Sequence, residues 1–147
     1  MAKPTTASAA KLTIWLGDGN SPESFVSPCG LTTRGINFTA SANDVNVPDC
    51  DDPDAPAWVE RVVQSLSAGV TGSGILAYEA IDEWEDFYFG GLAKNCRVII
   101  DWGSGGLRRY DGAFLCTTYN VTGELGNKIQ VEIALSSDGQ ITPVIVT

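Results

Sequence analysis

The chain is predicted to be mainly β, an antiparallel β-sandwich or barrel with one flanking α-helix and a long acidic loop. Three observations carry this. Lys128-Ile129-Gln130-Val131-Glu132-Ile133-Ala134-Leu135 alternates in polarity without fault, and the turn pair Asp138-Gly139 follows; a half-buried strand reads this way. Convincing helical spacing occurs in one segment alone, Ala80 to Phe89. The run from Val47 to Trp58 contains Pro48, Pro53 and Pro56 among Asp49, Asp51, Asp52 and Asp54. Proline fixes φ and removes a backbone donor, and the aspartates repel one another, so no regular element is expected there.

The other elements follow in order. Ala2 to Ala10 is small, polar and unpatterned, so residues 1–10 are expected to be a flexible arm before a single domain over 11–147. Leu12 to Leu16 is a first strand, closed by the turn cluster Gly17-Asp18-Gly19-Asn20 and Ser21-Pro22. Phe25-Val26 starts a short strand that Pro28 and Gly30 stop. Leu31 to Ala42 is β-rich, with Ile36, Phe38 and Ala40 on one face and Asn37, Thr39 and Ser41 on the other. The acidic loop is expected from Asn43 to Ala57. Trp58 to Val63 reads equally as a short helix or an irregular strand. Ala68 to Tyr78 is a strand thinned by Gly69, Gly72 and Gly74, where glycine marks a bulge or a close backbone approach. In the helix, Ile81, Trp84, Phe87 and Tyr88 form an apolar stripe, and Gly90-Gly91 ends it. Cys96 to Trp102 is a strand, Gly103 to Gly106 a turn, and Leu107 to Val121 a long strand or a bulged pair. After the turn Gly123 to Asn127 come the strand Lys128 to Ser136 and a last extended run, Ile141 to Val146.

Composition excludes several functions. The 147 residues contain nine basic against eighteen acidic side chains, a formal charge of −9. Holding nucleic acid by phosphate neutralisation needs clustered Lys and Arg instead. There is no histidine, so the commonest general base and transition-metal ligand are missing. Cys29, Cys50, Cys96 and Cys116 have no C-x-x-C spacing, and a zinc site would need all four. They are expected to be free core thiols of a chain that folds under reducing conditions. No apolar leader and no run of about 20 apolar residues is seen, so no membrane association is expected.

Taken in order, these pieces resemble the tail tube (major tail) protein family of long-tailed bacteriophages and gene transfer agents. The resemblance rests on Gly17-Asp18-Gly19, Ser21 to Phe25 and Gly30 to Arg34, then on the Asp/Pro loop leading to Trp58. It continues through Val70 to Gly74, the helix ending Phe89-Gly90-Gly91, Cys96 to Trp102, Gly112 to Leu115 and Lys128 to Gly139. It spans nearly the whole chain. It implies a structural subunit of the virion tail, with no catalytic residues and no cofactor. Six subunits would form a ring whose inner strands close into one barrel, and rings would stack into a hollow tube. The implied partners are further copies of the chain, the tape-measure protein and tail-end proteins, with DNA passing through the lumen without specific binding. The resemblance gives the four cysteines no role. The runner-up is a monomeric or dimeric β-sandwich binding or virion decoration module.

Residue expectations follow. Asp49, Asp51, Asp52, Asp54 and Trp58 are candidates for an inter-subunit or inter-ring contact, with the aspartates meeting basic residues of a neighbour and Trp58 anchoring the loop base. The loop is expected to be ordered only in the assembly. Read as a calcium loop, it has Asp49 and Asp51 at the first and third ligand positions and Glu60 at the twelfth, but Pro53 at the fifth and Asp54 at the glycine position weigh against that reading. Thr71, Ser73, Gln130 and Glu132 are candidate lumen residues, and that lining is expected to be neutral or electronegative. Trp84, Phe87 and Tyr88 are expected to pack on the sheet. Gly72-Ser73-Gly74 lacks the Lys-Ser/Thr partner of a phosphate loop. Glu83 and Glu85, two apart on a helix, point in different directions and make no acid pair. Arg108-Arg109 is either an interface pair or a solvated strand end.

Overall fold

The computed structural model describes residues 3–19 and 22–146. Asn20 and Ser21, in the turn expected after the first strand, lie outside them. Ala9–Lys11 forms a 3-10 turn that leads into β1 (Leu12–Gly17). β2 (Phe25–Val26), β3 (Leu31–Val47), β4 (Trp58–Ile75), α1 (Tyr78–Gly90), β5 (Lys94–Asp101), β6 (Leu107–Thr122), β7 (Gln130–Ser137) and β8 (Thr142–Val146) follow. All strand pairs are antiparallel, in the order β2-β1-β5-β6-β7-β4-β3 with β8 on β6.

The long strand β6 turns this path into two layers. Its first half pairs with β5, from Leu107↔Asp101 to Phe114↔Lys94, and its second half pairs with β7, from Phe114↔Ser137 to Thr122↔Gln130. A register shift between Cys116 and Thr118 marks a bulge in the second half, and a bulge bends and twists a strand. One apolar cluster lies between the layers. It joins Ile14 and Leu16 of β1 and Cys96 and Val98 of β5 to Val70 of β4 and Val131, Ile133 and Leu135 of β7. Phe114, a partner in both halves of β6, sits fully buried in it. The sheet is open, so the sandwich form holds.

α1 packs mainly on β6 and buries Ala80, Trp84 and Phe87. It starts two residues before the expected Ala80 and ends at Gly91, whose φ of 67° is the left-handed cap conformation that glycine adopts without strain. Tyr88 corrects the expected stripe: it is 41% exposed. At 3.6 residues per turn, four residues beyond Trp84 lies at the flank of the buried face rather than its centre. Its ring reaches Tyr119 at 6.4 Å and Phe89 at 5.2 Å.

The largest departure is in the middle of the chain. The expected loop shrinks to residues 48–57, because β3 continues through Asn43 to Val47 and Trp58 to Val63 is the regular start of β4. The two runs pair with each other: Asn43↔Val62, Asp44↔Arg61, Val45↔Glu60, Val47↔Trp58. Both faces of this hairpin are exposed, so neither run carries the burial alternation by which strands are read from sequence.

The glycines of β4 do mark close approach. A Cβ on Gly74 would stand 2.6 Å from the Thr32 nitrogen and 2.8 Å from the Leu31 Cα, with the Gly30 carbonyl closer still. β3 shifts register at this point, between Leu31 and Thr33. Backbone cannot swing aside as a side chain can, so Gly74→Ala is expected to destabilise by about 3 kcal/mol. Gly35→Ala, whose Cβ would meet only the Thr71 hydroxyl at 3.5 Å, is expected to be near neutral. Chemical denaturation of both variants checks the difference.

Candidate functional site

Two surfaces stand out, and both are built by β3 and β4. The first is the hairpin arm. β7 pairs with β4 only from Gly69 to Ile75, so Trp58 to Ala68 has β3 alone as a strand partner. At about 3.3 Å per residue these eleven residues extend roughly 35 Å beyond β7. Val45, Val47, Trp58, Val59, Val62 and Val63 are all exposed on the arm, Trp58 to 88%. Isolated two-stranded hairpins are marginal in water, and apolar side chains on free strand edges invite a partner. Asp44 and Arg61 pair across the arm at 3.4 Å, both largely exposed, so the pair adds little. At the tip, the Asp51 N–H donates to Asp49 Oδ1 at 2.9 Å and the Ala55 N–H to the Asp52 carbonyl at 3.1 Å. These are local turns that leave the carboxylates facing outward: Asp49, Asp51, Asp52 and Asp54 are all exposed.

The second surface is one face of the four-stranded region β6-β7-β4-β3. Ser73 lies opposite Glu132, Thr71 opposite Ala134 and Ile75 opposite Gln130. Side chains alternate along a strand, so Thr71, Ser73, Gln130 and Glu132 share a face, opposite the one that buries Val70, Val131, Ile133 and Leu135. The same face continues through Thr33, Gly35, Asn37, Thr39 and Ser41 of β3 and through Thr118, Asn120 and Thr122 of β6. Apart from Ala134 and, at its end, Ile75, it presents hydroxyls, amides and glycines, with no Lys or Arg; Glu132 is its one charge. The β3 and β6 members were not among the sequence candidates for this surface. The polar alternation Asn37-Thr39-Ser41 was the available signal, but only the register joins it to Thr71. Both lateral edges of this region are free of strand partners among the described residues: β3 at one side, and β6 from Leu115 to Thr122, beyond its last β5 partner, at the other.

The remaining candidates are placed as follows. Trp84 and Phe87 are in the core, and the Lys94 ammonium lies 5.5 Å from the Phe87 ring centre. Arg109 donates from Nε to Asp111 Oδ2 at 2.9 Å. Arg97 stands 3.5 Å from the other Asp111 oxygen and 3.8 Å over the Phe25 ring. Arg109 is thus tied within the chain, while Arg108 is exposed. The cysteine expectation is corrected in part. Cys96 is buried and Cys116 half-buried, but Cys29 and Cys50 are exposed, Cys50 in the arm's loop. All four are free thiols. Burial pushes the Cys96 thiol up to about 12 and Cys116 upward as well, because an apolar surrounding disfavours the thiolate. Unfolded Cys96 ionises near its ordinary value of 9.0 while the folded thiol does not, so this group's contribution to stability falls as pH rises from about 9 towards 12. Among the described residues no helix is long and apolar enough to cross a membrane, and no group of three or more Cys, Asp or Glu is placed to hold a metal ion.

The family model described as phage tail tube protein matches residues 6–143. Among curated proteins no sequence matches the chain significantly. Solved structures do. A chain from the tail of an empty gene transfer agent particle, determined with helical refinement and C6 symmetry, superposes with a TM-score of 0.77 at 23% identity, covering 93% of this chain and 98% of that one. A chain of the virion of a native gene transfer agent particle gives 0.74 at 23% identity, covering 95% and 99%. The SPP1 tail tube, a hybrid solid-state NMR and electron-microscopy structure, gives 0.65 at 9% identity, covering 95% and 80%.

Proposed function

The chain belongs to the phage tail tube protein family, and from that premise we propose that six copies close into a ring and rings stack into a hollow tube through which DNA passes. The observation that carries this reading is the polar four-stranded face with a free edge on each side. Pairing β3 of one copy with the free stretch of β6 in the next would remove both edges at once. Six copies of four strands make a closed barrel of 24. With strands about 4.8 Å apart and tilted about 40–45°, the bore left between side chains is roughly 40 Å. The face directed into it would carry Thr71, Ser73, Gln130 and Glu132 with Asn37, Thr39, Thr118 and Asn120. A lining of hydroxyls and amides with one carboxylate per copy has no cation with which to hold phosphates.

In this reading the tip aspartates and Trp58 belong to the contact between rings, and the role is structural rather than enzymatic. The tape-measure protein and the proteins at the tube ends are further partners of the same conduit. Negative-stain microscopy of concentrated, purified protein tests the reading. Hollow tubes with a bore of roughly 40 Å are the expected result. Dispersed single particles at all concentrations, in both low and physiological salt, would refute it.

A further inference from the structure

We propose that the arm of one copy docks head to tail on an exposed apolar surface around the β6–β7 turn of a copy in the next ring. This rests on the tube reading above and names the two halves of its axial joint.

The strand register places the halves. At one end of the β4 ladder Val47 pairs with Trp58, at the arm's tip. At the other end Ile75 pairs with Gln130, which pairs with Thr122. The connection from Thr122 to Gln130 is therefore at the end of the molecule away from the tip. That end is unusually apolar for a solvated turn. Ile75, Tyr78, Val121, Leu125 and Ile129 are all exposed there, Tyr78 to 87% and Leu125 completely. The Leu76 N–H donates to the Ile129 carbonyl at 3.0 Å, which ties the start of α1, and Tyr78 with it, to the turn.

One copy thus carries two separate apolar surfaces at opposite ends of one ladder, and neither covers the other. Surfaces of this kind mark interaction sites. Two different surfaces that meet between copies make a heterologous contact that does not close and so builds a filament. That identifies the occupant as a second copy of this chain.

Charge selects the turn over the neighbouring flank. The arm's loop carries four aspartates and no base. The outer side of α1 carries Glu79, Asp82, Glu85 and Asp86, also with no base, and would repel the loop. The turn holds Glu124 and Lys128, which cancel, and Lys128 is exposed. In the joint, the valines of the arm and Trp58 would lie against Leu125, Ile129 and Tyr78. The aspartates would sit at its rim, where they set orientation more than affinity.

The test uses full-length protein. Leu125→Asp/Ile129→Asp changes two exposed side chains, so its melting curve is expected to match the parent protein. Single rings without tubes are expected from it, and the same from Trp58→Asp. Mixing the two preparations leaves one working joint, between the arm of the first and the turn of the second. Pairs of rings and nothing longer are therefore expected from the mixture. A folded double variant that makes tubes as long as the parent's, or loses rings as well as tubes, would overturn the proposal. So would a mixture that stays at single rings. If the double variant does not fold, Leu125→Ser alone is expected to raise the tube-forming concentration at least about threefold with an unchanged melt; no shift would overturn the joint. Parent protein that makes no tubes at all would instead refute the tube reading.

Discussion

Trp84→Ala is expected to lower stability by about 3–5 kcal/mol, the usual loss when a large aromatic is cut from a packed core. The side chain is 0% exposed and belongs to the cluster that includes Phe87, Ala80 and Phe114. Its indole Nε1 has no hydrogen-bond partner among the described residues, so the loss is one of packing and cavity formation. Trp84→Phe, which keeps an aromatic body and breaks no hydrogen bond, is expected to cost clearly less. A domain of this kind has about 5–15 kcal/mol in all, and each kcal/mol moves the melting temperature of a chain this size by roughly 2–4 °C. Trp84→Ala should therefore melt roughly 6–20 °C below the parent in dilute solution, before any assembly. Tubes would then fail for want of folded subunits. A parent-like melting curve with assembly still blocked would show that the helix works at an interface, and the packing argument would be wrong.

Placing lysine on the polar face should turn an indifferent conduit into one that grips DNA. Thr71→Lys/Glu132→Lys adds two cations per copy, twelve in a ring of six, and removes the one carboxylate of the face. Both positions are solvent-facing, so folding is expected to be unaffected. If six to ten phosphates are engaged at once, affinity should fall about 10³–10⁵-fold between 50 and 200 mM salt. Parent tubes are expected to retain no short linear duplex at either salt. The variant should retain it steeply at low salt, and should ignore a covalently closed circle, which has no end to thread. Equal retention of circle and linear DNA would place the lysines on the outside of the tube. No retention of either would deny the face any contact with passing DNA.

The arm shows where legibility in the sequence ended. Asp49 to Pro56 was readable as irregular because proline and clustered charge act locally. Asn43 to Val47 and Trp58 to Val63 were not readable as strands. Their order comes from pairing with each other across the loop, and their exposed faces leave no burial pattern to read. Tyr88 failed for a related reason: a helical stripe gives the direction of a buried face but not its width, which depends on how closely β6 approaches.

The sequence alone determined the β class, the single helix and its glycine stop, the irregular acidic tip, the anionic charge and the resemblance that the family match then bore out. Those properties are set by local backbone preference, by polarity with period two or 3.6, and by composition, none of which needs a partner distant in the chain. Only the tertiary structure decided that Thr71, Ser73, Gln130 and Glu132 share one face with Asn37 and Asn120. It alone decided that β3 and the end of β6 are free edges, and that the arm and the β6–β7 turn stand at opposite ends of one ladder. Each depends on strand register, and a shift of one residue would send every side chain of a strand to the other face. Register is set jointly by contacts between segments far apart in sequence, such as Gly74 against Gly30 and Ser73 against Glu132.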